Sequence, residues 1–321
     1  MKRVVTSGDL TQRAMRPSDL HDAYVERVRA DIACFELLQG AGERGCPACG
    51  GLGDVEFVRL EFPYQRCRQC RSLFISPLPQ PGRLERYHAE SEAERFRRDE
   101  MLPAIADVRT RHALAPRAHW VSTSEVGRRS SPVAIGHVGP VSPQLVELLR
   151  ASAPVVSSVQ ELSDATMAAT LDTIIAFDVL ERSPDLARTL HQCSAGLRTG
   201  GLLFVTTMSG EGFEVRMLAE RTHSLIPPLH LQLLSRAGWE AALAREGLRL
   251  LEYSTPGELD VQAVAEACRR DPGVRLPPIL DELVRHEDEQ VGRVFQEVLQ
   301  QAGLSSHVQL VAEARSAPAT R

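Results

Sequence analysis

The chain has 321 residues, 43% hydrophobic and 25% charged, an ordinary globular balance with enough length for one large core or two smaller ones. Its formal net charge of −5 supplies no global basic field, which argues against nucleic acid or an anionic membrane as its partner. The start, "MKRVVTSGDLTQRAMRPSDL", holds no apolar leader and no later stretch reaches membrane-spanning length, so a soluble, cytoplasmic protein is expected.

Lys2 is the one lysine; the other basic side chains are arginine, which points to coding bias in a GC-rich bacterial genome. In chain order, residues 8–40 carry apolar residues at helical spacing, with Ser18 expected as the helix cap. This N-terminal helical segment should run over residues 1–45, before a cysteine module at 46–82.

The module reads "CPACGGLGDVEFVRLEFPYQRCRQC". Two C-x-x-C pairs, Cys46/Cys49 and Cys67/Cys70, stand 17 residues apart, and the alternating "VEFVRLEFPYQR" between them should form a short strand pair. Each pair makes a tight turn, so four thiolates converge as a tetrahedral zinc ribbon requires. Two disulfides are disfavoured in a reducing compartment, and a redox site would need one pair. Four protein ligands leave no open position, so the zinc should be structural. Cys34, Cys193 and Cys268 are scattered and should be buried thiols.

After the proline-rich "FISPLPQPG", residues 83–131 should be a helical linker whose arginines line a solvated face. An α/β core is expected over 132–256, then a helical insertion and last strand over 257–321. Its strands are "VAIGH", "PVVSSV", "LDTIIAF", "LLFVTTM", "LRLLEYSTP" and "HVQLVAEAR", and the helix "SPDLARTLHQCSAGLRTGG" should end at Gly200–Gly201. Strands alternating with helices argue for a mainly parallel sheet covered on both faces.

The run "LDTIIAFDVLERSPDLARTL...LRTGGLLFVTT" resembles the second half of class I S-adenosylmethionine (SAM)-dependent methyltransferases, through Asp172, Val179–Glu181, Gly200–Gly201 and Thr206–Thr207. The cysteine module with "FISPLPQPGRLERYH", and "PPLHLQLLS", "TPGELDV" and "LSSHVQLVAEA", are similar to a bacterial subgroup with an N-terminal zinc ribbon. Relatives of that kind build sugars, surface glycans or specialised metabolites. Three departures stand out: Arg182 for a histidine, Leu229 for an acid, and Arg71 for a glycine.

The resemblance implies a glycine-rich turn after the first strand and an acid after the second, to take the ribose hydroxyls. The candidate turn is "GHVG", with Gly136 and Gly139 as cofactor-binding candidates, and it fits two registers. As the first strand, "VAIGH" puts the acid near Gln160 or Glu161 but leaves only residues 162–171 for a helix and another strand. As the second strand, it agrees with the distance to Asp172 but puts Pro140 in place of the acid, and residues 105–131 then hold no first strand or glycine loop. The second register is preferred.

In either register the expected fold is a Rossmann-like class I methyltransferase sheet truncated by one βα unit. The expected function is a methyltransferase-like protein that does not bind SAM in the usual way and serves as a non-catalytic or repurposed partner subunit. The alternative is an active enzyme on a small molecule, with His230 as base. A third reading places other chemistry on Asp178, Glu181, Glu258 and Asp260, residue types that also cap and solvate loops. Expected partners are a small-molecule substrate or another methyltransferase-like chain, with an oligomer possible.

Overall fold

The computed structural model describes residues 9–124, 133–152, 156–162 and 169–315. Two sheets organise it. The smaller runs β1 (Gly53–Arg59), β2 (Phe62–Cys67) and β3 (Leu73–Ile75), all antiparallel, and is completed by β8 (Gln232–Leu233). On β2 the alternation buries Phe62 and Tyr64 and leaves Pro63 and Gln65 half-exposed, as a sheet with one covered face requires.

The larger sheet holds β4 (Val133–His137), β5 (Val156–Glu161), β6 (Leu171–Phe177), β7 (Leu197–Met208), β9 (Leu248–Ser254) and β10 (His307–Ala314). Their order is β5-β4-β6-β7-β10-β9, parallel throughout except for β10, which runs against both neighbours. β6 and β7 are near-continuous apolar runs because both faces are covered. This is the Rossmann-like class I methyltransferase architecture.

The structure places "VAIGH" in a different register from the preferred one. β4 pairs directly with β6 through Ile135, Gly136 and His137, so it takes the first-strand place and β5 the second. Upstream, Ala115–Thr123 is helical, and no described residue between β3 and β4 forms a strand. The chain passes from β5 to β6 within residues 162–170, of which 163–168 lie outside the described residues.

Helices cover the sheet where their caps predict. Asp185 accepts from the Arg188 amide at 3.0 Å to start Leu186–Gly196, and Ser235 accepts from the Gly238 amide at 2.9 Å to start Arg236–Arg245. The first of these ends at Gly196, earlier than expected, because Leu197 already enters β7; Gly200, at φ +75°, turns the chain within that strand. Near the N-terminus, Ser18 is the first helical residue of Ser18–Cys34 and Pro17 precedes it without a side-chain cap. The linker arginines are not all solvated: Arg97 pairs with the buried Glu94 at 2.8 Å. Asp260–Arg270, Pro278–Val284 and Glu289–Ala302 form the insertion between β9 and β10. No helix among the described residues is long and apolar enough to cross a membrane.

Both sheets share one core. Cys46, Cys67, Cys70 and Phe74 pack in a cluster with Leu234, Trp239, Leu243 and Leu203. The Ser235 amide donates to Ser72 Oγ at 3.1 Å, and a Cβ on Gly238 would come within 2.1 Å of that oxygen, so the close approach requires glycine. Arg71, the residue standing for a glycine, sits at φ +67° in the left-handed region, with its carbonyl accepting from Arg66 at 2.9 Å. The cost of that conformation for a residue with a Cβ is about 1–2 kcal/mol. Arg71→Gly is therefore expected to raise stability by about 1 kcal/mol in denaturant titration; an unchanged midpoint would show that the left-handed turn carries no strain.

Candidate functional site

Two centres emerge. In the first, one ligand atom from each of Cys46, Cys49, Cys67 and Cys70 lies within 4.8 Å of all the others. Cys46 Sγ is 3.5 Å from Cys70 Sγ, and Cys49 Sγ is 3.5 Å from Cys67 Sγ. A disulfide needs about 2.05 Å, whereas a tetrahedron with metal–sulfur bonds of about 2.3 Å has edges of about 3.8 Å. Each knuckle aims amides at its thiolates: those of Ala48 and Cys49 bond Cys46, and those of Gln69 and Cys70 bond Cys67. Burial raises Cys67, but these donors outweigh it and bring the thiol down to about 7. The four residues fit a metal ion with a closed, structural coordination shell.

The second centre lies at the carboxyl ends of β6 and β7, where open α/β sheets present ligand sites. Asp178 follows β6 at φ +55°, a left-handed conformation that aspartate tolerates better than most residues. Its Oδ2 meets Arg117 Nη2 at 2.6 Å and its Oδ1 accepts from Thr206 Oγ1 at 2.9 Å. Burial works to raise the Asp178 carboxyl, but Arg117, His307 and the hydrogen bonds outweigh it and hold the group below the usual carboxylate range. The Asp178 side chain is 44% exposed, so a ligand can reach it.

Glu181, three residues on, behaves oppositely. It is buried, accepts from Thr207 Oγ1 at 3.0 Å, and is pushed up to about 8 by burial and by the Asp178 charge. One carboxyl is thus held below its ordinary range and its neighbour above it, a split that suits acid–base work. Arg117 comes from Ala115–Thr123, whose Trp120 stacks on Phe177 at 6.3 Å and meets Phe204 edge-on at 5.0 Å.

His230 sits in the turn before β8. Its Nδ1 lies 3.0 Å from both the amide nitrogen and the carbonyl oxygen of Ile226, and burial pushes the ring down to about 4. The carbonyls of Leu180 and Ser183 accept from Gln232 at 2.8 Å, and the Glu181 carbonyl accepts from the Leu231 amide, so this turn is tied to the loop after β6. Gly136 lies inside β4, where a Cβ would come within 2.6 Å of Leu171. Gly139, at φ +66°, ends the turn against Val179. Asp260 is buried and accepts from the Ser306 amide at 2.8 Å and from Gln296 at 3.1 Å, and Glu258 lines a cavity elsewhere.

The structure therefore gathers Asp178 and Glu181 together with Thr206 and Thr207. It adds Arg117 and His307, which sequence reasoning did not single out. Arg117 carries no local motif. His307 sits at the start of β10, and only the sheet order brings its ring, pushed down to about 4 by burial, near Asp178.

A family model described as a methyltransferase domain matches residues 100–253. No curated protein matches the chain. Among solved structures, a methyltransferase in complex with its Trm112 activator from Haloferax volcanii is similar at 13% identity and TM-score 0.39, covering 67% of this chain and 97% of its own. A geranyl diphosphate methyltransferase bound to SAM is 12% identical at TM-score 0.43, covering 67% and 91%. The plantazolicin methyltransferase BpumL, bound to S-adenosylhomocysteine, is 12% identical at TM-score 0.42, covering 73% and 94%. Scores this low carry no inference about substrate or cofactor.

Two measurements follow from this geometry. Because the thiolates sit in the shared core, Cys70→Ser is expected to remove one metal ion per chain by elemental analysis and to lower the melting temperature of the whole protein, not of a detached segment. Glu181, raised in the folded state, costs stability as pH climbs from its unfolded value near 4.5 to about 8. Glu181→Gln should accordingly match wild type at pH 5 and exceed it in melting temperature at pH 9; parallel profiles would show an unperturbed carboxyl.

Proposed function

We propose that this methyltransferase-like protein takes a small molecule at the carboxyl ends of β6 and β7 without holding SAM in the manner of its fold class. It would serve small-molecule biosynthesis as a repurposed or non-catalytic subunit, beside another methyltransferase-like chain or as an oligomer. The four cysteines would hold zinc, which fastens the small sheet to the core and takes no part in chemistry.

The observation that carries this reading is the turn after β4. A cofactor lying against that turn needs backbone without side chains. Here Val138 and Pro140 flank Gly139, and the His137 ring closes the turn on itself, its Nδ1 2.7 Å from the Gly139 carbonyl oxygen. These residues do not fit the usual SAM cradle. The Arg117–Asp178 pair further occupies the end of β6, leaving proton chemistry at Glu181 as what this chain's own residues supply.

One observation favours the second reading, an active methyltransferase with atypical contacts. β4 occupies the first-strand place, so Glu161, opposite His137 at the carboxyl end of β5, stands where the resemblance expects the ribose acid. In that case His230, neutral through burial, is the candidate base.

Isothermal calorimetry of the metal-loaded chain separates the two. The proposal expects no saturable heat with SAM or S-adenosylhomocysteine up to 1 mM. Micromolar binding that Glu161→Ala weakens at least tenfold would overturn it in favour of the active enzyme.

A further inference from the structure

Away from the strand ends, a cavity of about 890 Å³ opens between the first turns of the chain and the C-terminal helices. That volume is of the size that holds a drug-sized ligand. Leu10, Gln12, Arg16 and His21 line one side, and Val261, Ala265, Val284 and Gly292 belong to the helical side. Asp178, Glu181, Thr206, Thr207 and His230 are not among its lining residues.

Its wall contains polar atoms with no hydrogen-bond partner among the described residues. Gln12 Oε1 and His21 Nε2 are both buried without a hydrogen-bond partner, and His21 as a whole is only 7% exposed. Buried polar atoms in native proteins are nearly always paired, so two orphans in the wall of one cavity call for an explanation. A bound molecule's polar groups would provide it.

Charge in the lining is mixed, with Asp9, Glu258, Asp288 and Glu297 beside the arginines, so the sign of that molecule rests on which cation faces the cavity without a carboxylate. At the rim, Arg269 pairs with Glu266, Arg270 with Asp22 and Arg293 with Glu289. Among the described residues Arg16 has no such ion pair; its guanidinium hydrogen-bonds the Ser224 hydroxyl. Glu214 lies on the far side of that hydroxyl, its carboxyl raised by burial and drawn back by the Arg16 charge. The His21 and His223 rings lie 5.6 Å apart. Burial and the Arg16 charge push His21 down to about 3, and burial with Arg59 lowers His223, so both rings are neutral hydrogen-bonding groups near pH 7.

Shape supplies the third observation. Gly292 sits inside the helix Glu289–Ala302, where glycine is disfavoured. A Cβ built there would meet only Val261, at 3.8 Å, so the missing side chain enlarges the cavity and is not forced by packing.

We propose that this cavity binds a small molecule carrying an oxyanion, carboxylate or phosphate, on an apolar body. Arg16 takes the anion, Gln12 and His21 hydrogen-bond it or a neighbouring polar group, and Val261, Ala265 and Val284 hold the body. The inference stands independently of the reading of the strand ends.

The test uses the full chain with ¹³C-labelled histidine, titrated separately with octanoate, octyl phosphate and octanol. At least one anion should shift the His21 and His223 signals saturably, at least tenfold more tightly than octanol, and the tighter anion identifies carboxylate or phosphate as the preferred group. Arg16→Gln should remove that anion preference. Gly292→Leu, which keeps Arg16 and fills the space, should abolish binding without lowering the melting temperature. The proposal fails if neither anion shifts these signals, if octanol binds as tightly, or if the stably folded Gly292→Leu protein binds like wild type.

Discussion

Everything in this molecule hangs on the contact between the cysteine knuckles and the helix Arg236–Arg245. Ser235 caps that helix with the same hydroxyl that donates to the Cys70 carbonyl, while its amide donates to Ser72. At the other end Arg245 reaches the carbonyls of Pro47 and Ala48. The small sheet is completed by β8, which belongs in sequence to the larger unit. A metal ion here would therefore stabilise more than a ribbon: it would fix the helix that covers β9 and the turn that carries His230. Separating the two sheets would expose Cys46, Phe74, Leu234 and Trp239 together, apolar area that neither part could bury alone.

That scaffold explains how two carboxyl groups three residues apart are shifted in opposite directions. Asp178 leaves β6 in a left-handed turn and faces Arg117 and Thr206, so its charge is compensated. Glu181 lies beneath, buried, with a hydroxyl donor and a nearby negative charge, so its neutral form is favoured. The β8 turn holds this loop by three main-chain acceptors, which keeps the pair in place.

Local patterns made much of this legible from sequence. Two C-x-x-C knuckles announce convergent thiolates because each turn is closed within five residues. Apolar runs such as "TIIA" and "LLFV" announce buried strands, and Asp185 and Ser235 announce helix starts. The place of β4 was not legible, because strand order is a tertiary property. Counting residues makes 162–171 too few for a helix and another strand before Asp172 in the first register. Yet nine residues reach about 30 Å when extended, more than the roughly 20 Å length of a six-residue strand, provided no further helix or strand is inserted. The crossover rule counts a connection that carries a helix of its own. Arg117 was invisible for a related reason: nothing in "HALAPRAHW" distinguishes an arginine that reaches across a sheet from one that faces water.

The corrected register sharpens the functional question instead of settling it by electrostatics. With β4 in the first-strand place, Glu161 restores an acid where the ribose would need one, so the loss of an acidic partner no longer argues against a cofactor. What remains against it is steric. The turn that must approach a ligand by its backbone carries Val138 and Pro140, and proline removes an amide donor as well as adding a ring. His137 spends its Nδ1 on the Gly139 carbonyl, within the same turn. The turn after β4, more than any missing acid, is therefore the point on which the proposed loss of the cofactor rests.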